Sequence, residues 1–353
     1  MQMRKAAIAA AVVALGATGL SACGANEEAG GDGDDSLTIA LLLPESSTTR
    51  YEQFDRPLFE DKVAELCETC EVDYKNADQD ENKQADQVDD AISSGVDVIV
   101  LDPVNGEAAA ALVATAQDSD IPVIAYDRFI EGADYYMSFD NNRVGQMQAE
   151  ALVEATGDTG DILMLNGDPD DPNAGQFKEG AHSVIDGSGL SVIGEYDNPD
   201  WSAENAEQYT TDQLDKIDPA SLAGVYAAND GQAGGVIAAL TGAGLDPTDL
   251  PPVTGQDADI AAIQRIVAGE QFMTVYKPIP VEAEKAAEVA VDIANGEEIT
   301  DTTDFQGVAS FIFDPVVITQ DNINDTVIAD GFYTVDQVCT DDYADACSAA
   351  GLS

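Results

Sequence analysis

Short, continuously apolar runs at regular intervals constrain this chain more than anything else in it. Leu37–Leu43 (LTIALLL), Val96–Leu101 (VDVIVL) and Ile121–Tyr126 (IPVIAY) are too short for helices and too uniformly apolar for half-exposed strands. They read as parallel strands covered on both faces. Glu71–Asn76 is a second strand, and Tyr51–Cys67, Gln84–Ser94 and Glu107–Gln117 read as helices between the runs. Tyr135–Phe139 adds a strand before Asp140–Asn142. After Asn142 the rhythm restarts, with helices expected at Val144–Thr156, from about Ala174, and at Ala206–Ile217, Gly231–Leu240, Ile260–Ala268 and Val281–Asn295. Strands are expected at Asp161–Leu165, Leu190–Glu195, Gly224–Ala228, Val253–Gln256, Phe272–Tyr276 and Phe311–Ile318. This alternation predicts an α/β protein of two doubly wound parallel sheets, and 353 residues suffice for two cores.

Charged and amide residues stand directly after several apolar runs: Asp127-Arg128, Asn229-Asp230, Asp257 and Lys277. In open α/β sheets, ligands bind outside the carboxyl ends of the strands. A carboxylate beside a guanidinium offers four acceptor sites and five fixed donors. That pairing suits a neutral polyhydroxylated ligand, whose hydroxyls both donate and accept. Trp201, the only tryptophan, lies in the polar stretch NPDWSAENA, a poor core, and can lie against the C–H face of a sugar ring. Tyr51 and Phe54 either face it or pack in a helix core. At Asn229-Asp230, the asparagine is assigned to the ligand and the aspartate to capping the next helix.

The chain carries 68 acidic and 14 basic residues, a formal charge of −54. A field of that sign repels phosphate backbones and excludes nucleic acid as a partner. The acid is spread along a chain of ordinary hydrophobic content, which implies a folded domain with an acidic surface and a salty exterior. Arg4 and Lys5 precede the apolar run Ala6–Leu15, so residues 1–22 read as an export signal. Leu20-Ser21-Ala22-Cys23 resembles a bacterial lipobox, which implies cleavage before Cys23, lipidation of its thiol and anchoring at the outer face of the cytoplasmic membrane. Residues 23–36 form a Gly- and acid-rich tether.

Export implies an oxidising compartment, and the four remaining cysteines allow three pairings. Proximity favours Cys67–Cys70 and Cys339–Cys347 over a zinc site, because the only histidine, His182, is remote in sequence. No metal is expected. Asn76–Gln84 has an EF-loop-like alternation, but Glu81 stands where that loop needs glycine and Gln87 where it needs a bidentate glutamate. Asp168–Asp171 reads as an acidic turn with no ligand spacing. No nucleophile elbow, P-loop or H-E-x-x-H occurs, and neither an enzyme nor a cofactor is expected, the alternative being a sugar-processing enzyme that uses two of the 68 acidic residues.

Ala125–Arg128, Ser138–Asn141 with Val144-Gly145, Asn229-Asp230 before Ala233–Gly235, Gly255–Asp259, Thr274–Ile279, Asp325–Ile328 and Asp330–Phe332 together carry a family resemblance over about Leu37–Tyr333. They resemble the type I periplasmic sugar-binding proteins of the ribose/galactose group, most closely the branch that takes D-xylose to bacterial ABC transporters. The resemblance implies two Rossmann-like domains joined by a three-crossover hinge, with crossovers near Ser138, Lys277 and Ala309. One lobe would hold residues 37–138 plus 278–309, the other 139–277 plus 310–353. It also implies a monomer that encloses a monosaccharide, serves ABC permease subunits, and contacts the sugar through Arg50, Asp127, Arg128, Asn173, Trp201, Asn229, Asp257 and Lys277. Pro172, where the family usually offers asparagine, and the loop Glu45–Arg50 depart from that pattern and leave the sugar's identity open.

Overall fold

The computed structural model describes residues 36–46 and 48–352, so the export signal, Cys23 and the tether up to Asp35 lie outside the described residues. The chain begins with β1 (Thr38–Leu43), a π turn over Tyr51–Asp55, α1 (Arg56–Leu66), β2 (Glu71–Asn76), α2 (Glu81–Ser94), β3 (Val98–Leu101), α3 (Gly106–Gln117), β4 (Val123–Tyr126) and β5 (Tyr135–Phe139). It continues with α4 (Asn141–Thr156), β6 (Gly160–Asn166), α5 (Pro172–Ile185), β7 (Leu190–Asp197), α6 (Ala203–Leu214), β8 (Leu222–Ala227), α7 (Asp230–Gly242), α8 (Ile260–Ala268), β9 (Thr274–Tyr276) and α9 (Ile279–Ala294). β10 (Thr303–Phe305), β11 (Val308–Phe313), β12 (Val316–Ile318), α10 (Val335–Val338) and α11 (Ala344–Ala349) complete it. This is the type I periplasmic-binding-protein fold.

A seven-stranded sheet runs β10-β11-β5-β4-β3-β1-β2, parallel except for the β10–β11 hairpin. Period-two alternation divides its side chains between two cores. Ala40, Leu42, Ile99 and Leu101 pack under Val88 of α2 and Val113 of α3, while Ile39, Leu41, Val98 and Val100 pack under Phe59 of α1 and Ala286 of α9. Each such leucine or isoleucine contributes roughly 1.5–3 kcal/mol by leaving water. β11 stays paired with β5 through Phe313.

The second sheet, β7-β6-β8, is also parallel. Single bridges Val225–Val253 and Gln256–Val275 carry it on to β9, which pairs antiparallel with β12. The strand expected at Val253–Gln256 is thus only these two bridges, beside Pro251 and Pro252, which lack ladder donors. β7 alternates half-buried and exposed residues, as an edge strand does. α4 and α5 cross at two glycines: a Cβ on Gly145 would lie 1.9 Å from the Phe177 carbonyl oxygen, and one on Gly180 2.0 Å from that of Asn142.

The helix expected over Tyr51–Cys67 opens instead with the π turn. Residues five apart stack in a π turn but diverge in an α-helix, and the turn sets Asp55 under Arg50. Disulfides join Cys67 to Cys70 and Cys339 to Cys347. Phe54 stacks on Phe332 of the tail at 4.0 Å and is a core residue. Asp80 caps α2 and Lys83 pairs with Asp78, so the acidic turn before α2 is a helix start.

Candidate ligand-binding site

Loops at the carboxyl ends of both sheets converge on one narrow cavity. Thr48, Arg50 and Tyr51 follow β1, and Asp127 and Arg128 follow β4. From the second sheet come Asp171 and Asn173 after β6, Trp201 after β7, Asn229 after β8, and Gln256, Asp257 and Lys277 around β9; Phe177 of α5 completes the wall. All eight residues expected from sequence line this one cavity. Apart from Thr48, every lining side chain is less than a tenth exposed. The charged groups balance at three cations, Arg50, Arg128 and Lys277, against three carboxylates, Asp127, Asp171 and Asp257.

Asp127, Trp201 and Asp257 hold φ of 56°, 52° and 90°, left-handed values costly for non-glycine residues and concentrated at functional sites. The Asp127 turn is fixed by its own backbone: its N–H donates to Met137 O at 2.9 Å, and its carbonyl accepts from Ser138 Oγ at 2.6 Å and Asn173 Nδ2 at 3.0 Å. Gly167 makes room for the tryptophan, since a Cβ there would lie 2.0 Å from the Trp201 ring.

Arg50 is a hub. Its Nε and Nη2 fork onto Asp55 at 3.0 and 2.6 Å, Nη2 also reaches Glu282 at 2.8 Å, and Nη1 donates to Asp127 Oδ1 at 2.8 Å. Arg128 Nε pairs with Asp171 Oδ2 at 2.9 Å, and its Nη1 donates to the Pro103 carbonyl at 3.0 Å. Asp171 Oδ2 also accepts the indole N–H of Trp201 at 3.1 Å, so one carboxylate orients the guanidinium and the ring. Lys277 Nζ lies 3.0 Å from Asp257 Oδ1 and 3.8 Å from Asp127 Oδ1.

Burial alone would raise the Asp127 carboxyl, but Arg50, Lys277 and Arg128 outweigh it and bring it down to about 2. Burial pulls Lys277 down, and Asp257 and Asp127 more than restore it, so the amine stays charged. Burial pushes Asp171 up against the pull of Arg128. Behind the wall, burial raises Asp102 and Glu282 as well, against the pull of Arg128 and Arg50 respectively.

The structure corrects two roles. Asn229 caps α7, its Oδ1 accepting from the Gln232 N–H at 3.0 Å. Asp230 instead accepts from Gln271 Nε2 at 2.8 Å, Thr274 Oγ1 at 2.9 Å and the Asp259 N–H at 2.9 Å. An Asn side chain is as good a cap as Asp, and burial among three donors holds Asp230 elsewhere. Asp171, read as part of a featureless acidic turn, lies in the wall. The signal was present: it caps α5 just before Pro172 at the first helical position. Gln256 sits inside a motif already singled out and was passed over for its charged neighbour.

Residues 39–298 match the family model described as a periplasmic binding protein domain. The chain belongs to the periplasmic binding protein family. It is 41% identical over 311 residues to the D-xylose-binding periplasmic protein of Escherichia coli K12, covering 84% of this chain and 91% of that one. The namesake from Haemophilus influenzae is 37% identical over 312 residues, covering 86% and 92%. An ABC transporter solute-binding protein from Clostridium phytofermentans, solved with β-D-glucose, superposes with a TM-score of 0.77 at 29% identity, covering 85% of this chain and 99% of that one. Like these relatives, this periplasmic binding protein is an extracytoplasmic solute-binding protein and not an enzyme.

Proposed function

We propose that the protein captures a neutral monosaccharide, D-xylose first among them, and delivers it to an ABC importer. The observation that carries this reading is the charge-balanced, densely polar cavity backed by one tryptophan. A net anionic or cationic ligand would unbalance three buried cations and three buried carboxylates, whereas a polyol leaves them paired and exchanges hydrogen bonds with each. Trp201 supplies apolar area for the C–H face of the ring. Names of the relatives point the same way for the sugar.

In this reading the lobes are residues 37–139 with 278–313 and residues 140–277 with 314–352, since β11 remains in the large sheet to Phe313. Ligand bridging both lobes favours the closed form by its differential affinity, and the permease subunits read the closed lips. The receptor is a monomer held at the membrane through lipidated Cys23, and its acidic surface is matched to a salty exterior.

Calorimetry of the mature chain in high salt with D-xylose, D-ribose, D-glucose and D-galactose tests the reading. D-xylose is expected to bind most tightly, and Asp257→Ala to weaken it at least tenfold, about 1.4 kcal/mol. A preference for a hexose replaces the pentose assignment, and no heat with any sugar overturns the reading.

A further inference from the structure

The cavity wall contains two buried acceptors with no hydrogen-bond donor among the described residues, Asn173 Oδ1 and Gln256 Oε1, beside a third, Asp257 Oδ1, that faces the Lys277 ammonium at 3.0 Å. Asn173 donates through its other atom to the Asp127 carbonyl. Gln256 differs. Its side chain is 2% exposed, and its Oε1 has no hydrogen-bond partner among the described residues. Its backbone meanwhile is pinned on both sides: Gln256 O accepts from the Asp230 N–H at 3.0 Å, Val275 N–H donates to Gly255 O at 3.0 Å, and Asp257 N–H donates to Val275 O at 2.9 Å. The backbone of Gln256 is thus held at the wall by a ladder, while its Oε1 has no partner among the described residues.

A buried amide left unpaired is costly and in native structures reflects strain, a functional role or a bound water or ion; this one belongs to a residue that lines the cavity. Building on the monosaccharide reading above, we propose that Gln256 is a specificity-determining residue whose side-chain amide exchanges hydrogen bonds with one ligand hydroxyl. It then selects sugars that carry a donor at that position, and it acts against anionic analogues, whose acceptor oxygens would face Gln256 Oε1, Asn173 Oδ1 and Asp257 together.

The test compares the wild-type chain with Gln256→Leu, close in size and apolar. Calorimetry uses D-xylose and its 2-, 3- and 4-deoxy analogues, and sugar-free melting is recorded for both proteins. Wild type is expected to lose about tenfold in affinity or more for at least one deoxy analogue. Gln256→Leu is expected to bind D-xylose about tenfold more weakly and to discriminate against that same analogue less than twofold. Its sugar-free melting temperature should be unchanged or higher, because no protein hydrogen bond has been removed; a structural glutamine would lower it. A variant that binds D-xylose within twofold of wild type, keeps the wild-type discrimination pattern, or melts markedly lower overturns the proposal. If wild type prefers a hexose, the same comparison is made with that hexose and its deoxy analogues; if it binds no sugar, the functional reading falls, and this proposal with it.

Discussion

The two halves of the cavity wall are built on opposite plans. On the large-sheet side, the guanidinium groups that line the cavity are paired with protein: Arg50 holds Asp55, Glu282 and Asp127, and Arg128 holds Asp171 and the Pro103 carbonyl. On the other side, Asn173 and Gln256 each keep an acceptor without a hydrogen-bond donor among the described residues. The first half is a preassembled frame whose donors are fixed before any ligand arrives, so little reorganisation is needed on binding. The second half is where a ligand completes the hydrogen bonding. Substitutions should therefore act on stability in the first half and on affinity in the second.

The largest effect is expected at Arg50. Arg50→Met strands Asp55 and Glu282, both almost wholly buried, without their cation. Removing one partner of a buried ion network typically costs about 3–5 kcal/mol. Denaturant melts of the sugar-free protein should show that loss, with Arg50→Lys intermediate because it restores charge without the fork. A melt within about 1 kcal/mol of wild type combined with lost sugar binding would break the frame-and-acceptor division.

Acid sharpens the same point through Asp127. Its folded-state carboxyl lies at about 2, below its ordinary 3.8. A depressed carboxyl contributes stability that is present above the unfolded value and is lost as pH falls toward the folded one. The amount is on the order of 2 kcal/mol. Asp102, Asp171 and Glu282 are raised by burial and act with the opposite sign, so total stability does not isolate Asp127. The difference between wild type and Asp127→Asn reports Asp127 together with the push its charge exerts on those three carboxyls, and asparagine tolerates the left-handed turn there. Equilibrium melts from pH 5 to pH 2 should show that difference shrinking steadily. A constant gap means Arg50 does not hold Asp127 charged.

Much of this division was legible in the sequence, for identifiable reasons. Apolar runs such as TIALLL and VIVL fixed the strands because both faces of a parallel sheet are buried. Charged residues directly after such runs marked the wall, since strand ends place the following side chain at the crevice. What stayed hidden depended on pairing across the fold. Asp55 and Glu282 are 227 positions apart, and no local pattern joins them through Arg50. Arg50 itself entered only through the family resemblance; that it also holds Asp55 follows from the π turn, which looks like ordinary helix in sequence. Asp230 was mistaken for a cap because the sequence shows two adjacent candidates and only packing chooses.

The smallest expected effect falls at Asn229, where the two plans meet in one side chain. Its Oδ1 caps α7 through the Gln232 N–H, a structural duty, while its Nδ2 makes no protein hydrogen bond among the described residues and borders the cavity. Asn229→Ser separates the two, because serine caps about as well as asparagine but its single hydroxyl, bound to the helix, cannot also reach into the cavity as an amide does. The sugar-free melt should move by less than about 0.5 kcal/mol. Affinity should fall by the value of one neutral hydrogen bond, roughly 0.5–1 kcal/mol or two- to fivefold. Asn229→Ala would then lose both, adding about 1 kcal/mol of stability to the same affinity loss. If serine restores affinity as well as stability, the amide faces no ligand, and Asn229 belongs with the frame.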